Sequence, residues 1–191
     1  MRPGTWLVVA SSVLGALTPG KSLAGICKWD VCLRFEPSES VVELGETFTV
    51  DIVADINSPV LGWGLDLTIV NPAVASLTAS PSIGPDWFAV FAPDGDGLAG
   101  LAFPDGIAGE GIVLATLSLH ADSDGETDLV LSVSEADPNE GFALDPTGFA
   151  EWAFQSGRIV VPEPATIALM LIGAASLSRL RRSTRARRMS A

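Results

Sequence analysis

The stretch LGWGLDLTI, Leu61 to Ile69, decides the fold class. Leu61, Trp63, Leu65, Leu67 and Ile69 fall on every second position, and Gly62, Gly64, Asp66 and Thr68 fall between them. That period of two puts all the large apolar side chains on one face of an extended chain, the pattern of a half-buried strand. Upstream, Thr47 to Asp55 repeats it with Phe48, Val50, Ile52 and Ala54 on one face. Downstream, Val113, Ala115, Leu117 and Leu119 face one way, with Thr116, Ser118 and His120 opposite. Leu129, Leu131 and Val133 make a fourth face, and Arg158 to Val161 reads as a closing strand. Turn-forming residues separate these runs: Glu43-Leu44-Gly45, Asn57-Ser58-Pro59, Pro93-Asp94-Gly95 and Asp124-Gly125. No long stretch between Gly25 and Val160 carries a helical period. Short strands with frequent turns predict an all-β, antiparallel β-sandwich.

The same residues carry a family resemblance. Ser40 to Ala54 (SVVELGETFTVDIVA), the strand around Gly62 to Leu67, the Asn71-Pro72-Ala73-Val74 that follows and Ile112 to Leu117 are together similar to cohesin-like domains. The similarity spans about Phe35 to Val161. It implies a jelly-roll sandwich acting as a binding module. Cellulosomal cohesins bind dockerins, but no residue here identifies a dockerin-binding face.

Both ends of the chain differ in composition from this body. MRPGTWLVVASSVLGALTPGKSLAG has Arg2 ahead of an apolar run from Trp6 to Leu17, a break at Pro19-Gly20, and the small-x-small site Ser22-Leu23-Ala24. Residues 1–24 are therefore expected to be an export signal cut after Ala24. The last part, VPEPATIALMLIGAASLSRLRRSTRARRMSA, covers 161–191. It has an uncharged run from Ala165 to Ser178, which as a helix would be about 21 Å long at 1.5 Å per residue. That is short for a bilayer core of about 30 Å, unless the flanking arginines reach to the interface. Arg179, Arg181, Arg182, Arg185, Arg187 and Arg188 follow, and such a cluster marks a cytoplasmic stop.

Pro162-Glu163-Pro164, the apolar run and the arginines, in that order, resemble a PEP-CTERM sorting signal. The resemblance implies processing by an exosortase, a membrane-embedded enzyme of bacteria that also make extracellular polysaccharide. The expected topology places the body outside the inner membrane, on the cell surface or in the extracellular matrix, with a transient or permanent C-terminal anchor.

The middle domain, 25–160, is strongly acidic. The chain's net charge of −12 conceals this, because the body holds three basic residues, Lys28, Arg34 and Arg158, against twenty-two acids, a balance of −19. Such a surface repels nucleic acid and anionic membranes. Cys27 and Cys32 are the only cysteines, and in an oxidising compartment they could close a disulfide or stay as free thiols.

Catalytic signatures are weak. No Gly-x-Ser-x-Gly elbow, P-loop or dinucleotide glycine fingerprint occurs, and the lone histidine, His120, has no local nucleophile motif. The leading expectation is a non-enzymatic structural or adhesive module, whose partner is an extracellular polysaccharide or a surface protein. Its alternatives are a secreted polysaccharide hydrolase, which needs two carboxylates across a groove, and a membrane-anchored carbohydrate-binding protein. Calcium is the one metal considered. Asp94 and Asp96 hold positions 1 and 3 of a loop, but Leu98 and Ala99 stand where an EF-hand needs an oxygen ligand and a glycine. Asp122, Asp124, Glu126 and Asp128 alternate around Asp124-Gly125, which reads more simply as a hairpin turn than as a calcium loop. Of the tryptophans, Trp63 is expected in the core, and Trp87, after Gly84-Pro85-Asp86, is a candidate for an exposed sugar-stacking ring.

Overall fold

The computed structural model of the protein describes residues 28–90, 98–134, 137 and 139–163. The expected export signal, Cys27, Asp94, Asp96, Pro164, the apolar run and the six C-terminal arginines lie outside the described residues. Within them there are thirteen strands and no helix. They are β1 Val31–Glu36, β2 Glu39–Val41, β3 Thr47–Gly64, β4 Asp66–Ile69, β5 Ala75–Leu77, β6 Ser82–Ile83 and β7 Phe88–Ala89. The remainder are β8 Ala99–Leu101, β9 Ile107–Ala121, β10 Gly125–Ser132, β11 Gly141–Leu144, β12 Trp152–Phe154 and β13 Gly157–Val161. Pairing is antiparallel except for β1 with β12 and β2 with β13, which run parallel.

The organising element is β3, 18 residues long. Its first half lies between β1 and β9, with Ile52 opposite both Phe35 and Ala115. Its last residues lie between β11 and β8, with Gly62 opposite both Ala143 and Leu101. The switch of neighbours occurs at Asn57-Ser58-Pro59, where the sequence predicts a turn and the strand instead runs on through a bulge. From Ile56 to Val60 the strand advances four residues while β9 advances two, from Gly109 to Ile107.

Polar groups freed by the bulge find partners from a distant part of the chain. The Asn57 N–H donates to Asp30 O at 2.8 Å, the Ser58 hydroxyl to Asp30 Oδ1 at 3.0 Å, and the Asp145 N–H to Pro59 O at 3.0 Å. A second irregularity further along shifts the phase of the strand. Val50, Ile52, Ala54, Ile56 and Val60 are core residues, followed by Trp63 and Leu65, so the buried set moves from even to odd positions after Val60, where the pairing with β11 shifts register.

The alternation of Leu61 to Ile69 survives, although the chain changes partners within it. Leu65 leaves the ladder between β3 and β4, its N–H bonded to Leu98 O at 3.0 Å, and β4 joins the separate sheet β2-β13-β10-β4. Trp63 and Leu65 are core residues, and Leu67 and Ile69 pack against that core. The second departure from the sequence reading is at Asp124-Gly125. The segment is no hairpin, because β9 pairs with β3, β5 and β6 while β10 pairs with β13 and β4. It carries the chain from one sheet to the other, held by Val74 O, which accepts the Asp122 N–H at 2.9 Å. One hydrophobic cluster, including Phe35, Ile52, Trp63, Leu117, Leu131, Phe142 and Ile159, fills the space between the layers.

Candidate functional site

The register of the sheet assembles a site that the sequence reading does not contain. Residues paired across neighbouring strands share a face, so the pairs can be followed in a row: Phe88 on β7 opposes Leu101 on β8, Leu101 opposes Gly62 on β3, and Gly62 opposes Ala143 on β11. Ala143 in turn forms a β-bridge with Phe149. At an interstrand spacing of about 4.8 Å, these four steps span about 19 Å. The end residues face solvent: Phe88 is 67% exposed, Leu101 46% and Phe149 64%. Phe103, two residues beyond Leu101 and outside β8, is 81% exposed.

Small residues in the middle make the surface shallow. A Cβ on Gly62 would lie 2.6 Å from Leu101 Cδ2, so the leucine lies flat over a glycine that leaves it room. The opposite side of the same strands is rigid. Gly100, between the outward residues of β8, lies under the Trp63 indole, and a Cβ there would be 2.6 Å from Trp63 Nε1. Trp63 and Trp87 meet edge to face, centroids 6.1 Å apart at 87°, a geometry that contributes about 0.5–1.5 kcal/mol beyond burial. Neither buried indole N–H has an acceptor.

Trp87 therefore does not stack on a sugar. It is 6% exposed and belongs to the core; its neighbour Phe88, one position on, is the ring that reaches solvent. Trp63 is buried as the alternation predicts.

The other candidate residues are placed as follows. Asp122 accepts the Ser76 hydroxyl at 2.6 Å and lies 4.0 Å from His120 Nε2, while His120 Nδ1 is 3.2 Å from Thr47 Oγ1. These groups hold β3, β5 and β9 to one another. Asp124 is exposed in the crossing segment. Among the described residues no three His, Cys, Asp or Glu side chains come together as a metal site. Cys32 is disulfide-bonded, and Cys27, with which the sequence could pair it, lies outside the described residues. Pro162 and Glu163 are exposed directly after Val161, which is buried in β13, so the first two residues of the expected sorting motif follow the folded sandwich directly.

Several carboxylates are committed to the fold. Asp51 accepts the Thr116 hydroxyl at 2.6 Å, and Asp55 accepts the Gly111 N–H at 2.8 Å and pairs with Arg34 at 2.8 Å. Burial would lower the Arg34 pKa, but its hydrogen bonds to Asp55 and Glu36 outweigh this and hold the guanidinium above its ordinary value. A pocket of about 310 Å³ beside Phe149 is lined by Val133, Phe142 and Trp152, with Asp137 and Glu140 at its wall. Those two acids tie down their own loop: Asp137 accepts from Asn139, and Glu140 from the Ser134 N–H.

By sequence the chain matches no protein-family model and no curated protein. By structure it is similar to cohesin domains. The third ScaB cohesin of R. flavefaciens, solved in complex with a group 1 dockerin, aligns with a TM-score of 0.56 at 14% identity, over 73% of this chain and 99% of that one. A non-cellulosomal cohesin from the hyperthermophilic archaeon Archaeoglobus fulgidus aligns at 0.51 and 15% identity, over 72% and 93%. A type II cohesin from the cellulosome of Acetivibrio cellulolyticus aligns at 0.51 and 12%, over 69% and 94%. At these identities the likeness establishes the fold: the body is a cohesin-like jelly-roll sandwich.

Proposed function

We propose that this chain is a non-enzymatic protein-binding module, exported and displayed at the bacterial surface, which uses the outer face of β7, β8, β11 and the end of β3 to hold a partner protein. The row from Phe88 to Phe149 carries this reading. A monomer gains nothing by leaving two phenylalanines and a leucine in line on an open sheet face, and apolar surfaces of that kind mark interaction sites. A protein is the partner class to test first, because a structure of the same fold was solved with a dockerin bound.

Display belongs to the same proposal. Residues 1–24 direct export, and the Pro162-Glu163-Pro164 signal, the apolar run and the arginines hand the chain to an exosortase at the inner membrane. The body's acidity suits a soluble life outside the cell.

Two measurements test the two halves. A photo-crosslinking amino acid placed at Phe88, and separately at Phe149, should trap the same protein in the native host, and Leu101→Asp should abolish both adducts. The same probe at Val41, on the other sheet, should trap nothing discrete. Unrelated adducts at the two positions, or none, would reject the face as a binding site. For sorting, intact mass of the protein from membrane and medium fractions should show a chain ending near Pro162 to Pro164. A full-length C-terminus would reject processing and leave the binding reading untouched.

A further inference from the structure

The charge around the apolar row points to the kind of protein that would cover it. Residues 57–107 and 129–157 contain every strand that makes the row, and neither span has a lysine, arginine or histidine. Both contain acids close to the row: Asp86 lies two residues before Phe88, Asp105 two after Phe103, and Asp145 two after Ala143. The body's three cations lie outside both spans, Lys28 next to the Trp29-Asp30 segment that bonds Asn57, Ser58 and Glu151. Arg34 is engaged on β1 by Asp55 and Glu36, Arg158 on β13 by Glu126, and Lys28 precedes β1. Acids outnumber cations around this face, so its field is negative toward whatever approaches.

We propose that the partner is a protein whose contact surface is apolar at its centre and ringed by lysine and arginine. This rests on the reading of the row as a protein-binding face and adds the partner's charge. Each other occupant meets an obstacle visible on the face. A second copy of this chain would bring acid against acid, and an anionic lipid surface would be repelled in the same way. A glycan would find no side-chain hydrogen-bonding group on Phe88, Leu101, Gly62, Ala143 or Phe149, and such ligands need polar groups to fix them. A cation-rimmed apolar surface satisfies both features at once. The rim speeds encounter and rejects acidic proteins, while the centre supplies burial.

Three synthetic helical peptides, titrated into the full chain by fluorescence anisotropy at low and high salt, separate the claims. One has a leucine face flanked by lysines, the second the same face flanked by glutamates, and the third a serine face flanked by lysines. The leucine–lysine peptide should bind about tenfold or more tighter than the leucine–glutamate one, weaken as salt rises, and lose affinity with Phe88→Ser or Phe149→Ser but not Val41→Ser. Equal binding of the two leucine-faced peptides would overturn the charge inference and leave the face reading standing. Failure of both, or indifference to Phe88→Ser and Phe149→Ser, would overturn the face reading as well. Equal binding of the serine-faced peptide would reduce the surface to bulk electrostatics and overturn both.

Discussion

The two halves of β3 share a strand and a core but have different exteriors. Before the bulge, four of the five outward positions are polar and three of these are joined to their neighbours: Thr47 to His120, Asp51 to Thr116, Asp55 to Arg34 and Gly111, while the fifth, Val53, is apolar and covered. After it, the outward positions are Gly62 and Gly64, and Gly62 is flanked by Leu101 and Ala143. The first half is finished for water, with donors and acceptors matched across strands. The second is left apolar and shallow. A sandwich core requires neither exterior, and the proposed binding face lies on the apolar one.

This contrast can be tested from the inside outward. Trp63→Ala removes the large inward ring of the second half and should cost about 3–5 kcal/mol, somewhat offset because one unpartnered buried N–H disappears with it. Chemical denaturation of the full chain would measure this. Gly100→Ala should cost about 1–3 kcal/mol, since its Cβ would intrude on the Trp63 indole and a packed interior resists added volume.

On the first half, Arg34→Met should cost only about 0–1 kcal/mol, as expected for partly exposed ion pairs. Because the Arg34 pKa is raised on folding, its contribution is complete at pH values below its ordinary value and is lost only as pH rises through the raised folded value. Between pH 6 and 9 the penalty of Arg34→Met should therefore stay flat, and a change across that window would assign the stabilisation to another group. Phe88→Ser, on the apolar exterior, should change stability least, within about 0.5 kcal/mol, and should act on binding alone. A large loss of stability there would mean that the exposed ring is structural.

Much of the interior was legible in the sequence. Period-two alternation placed Val50, Ile52, Trp63, Leu65, Leu117, Leu119, Leu129 and Leu131 inside, and the sandwich followed from it. Turn chemistry was the less reliable guide. Asn57-Ser58-Pro59 has the composition of a turn, yet its polar groups are satisfied by Asp30 and Asp145 from far along the chain, so the strand bulges and continues. Asp124-Gly125 has the composition of a hairpin, yet its flanking strands pair into different sheets, which local sequence does not encode.

The site is the part the alternation hides. Reading Leu61 to Ile69 for its large residues directs attention inward. The residues between them, glycine and glycine and then aspartate and threonine, record the outer face passing from apolar to polar. That signal is present in the sequence, but its meaning depends on Phe88, Leu101 and Phe149 arriving from elsewhere by strand pairing. For the same reason Trp87 invites assignment as the exposed aromatic, when the pleat turns Phe88 outward in its place.

The Trp63–Trp87 pair has an optical consequence. Two indoles in a dry interior should emit at short wavelength, and Trp63 lies one backbone layer beneath the surface that Leu101 covers. Any occupant pressing on that leucine would alter the emission of a chromophore it never touches. With Trp29 and Trp152 replaced by phenylalanine, that emission would report, without a label, on the binding face proposed above.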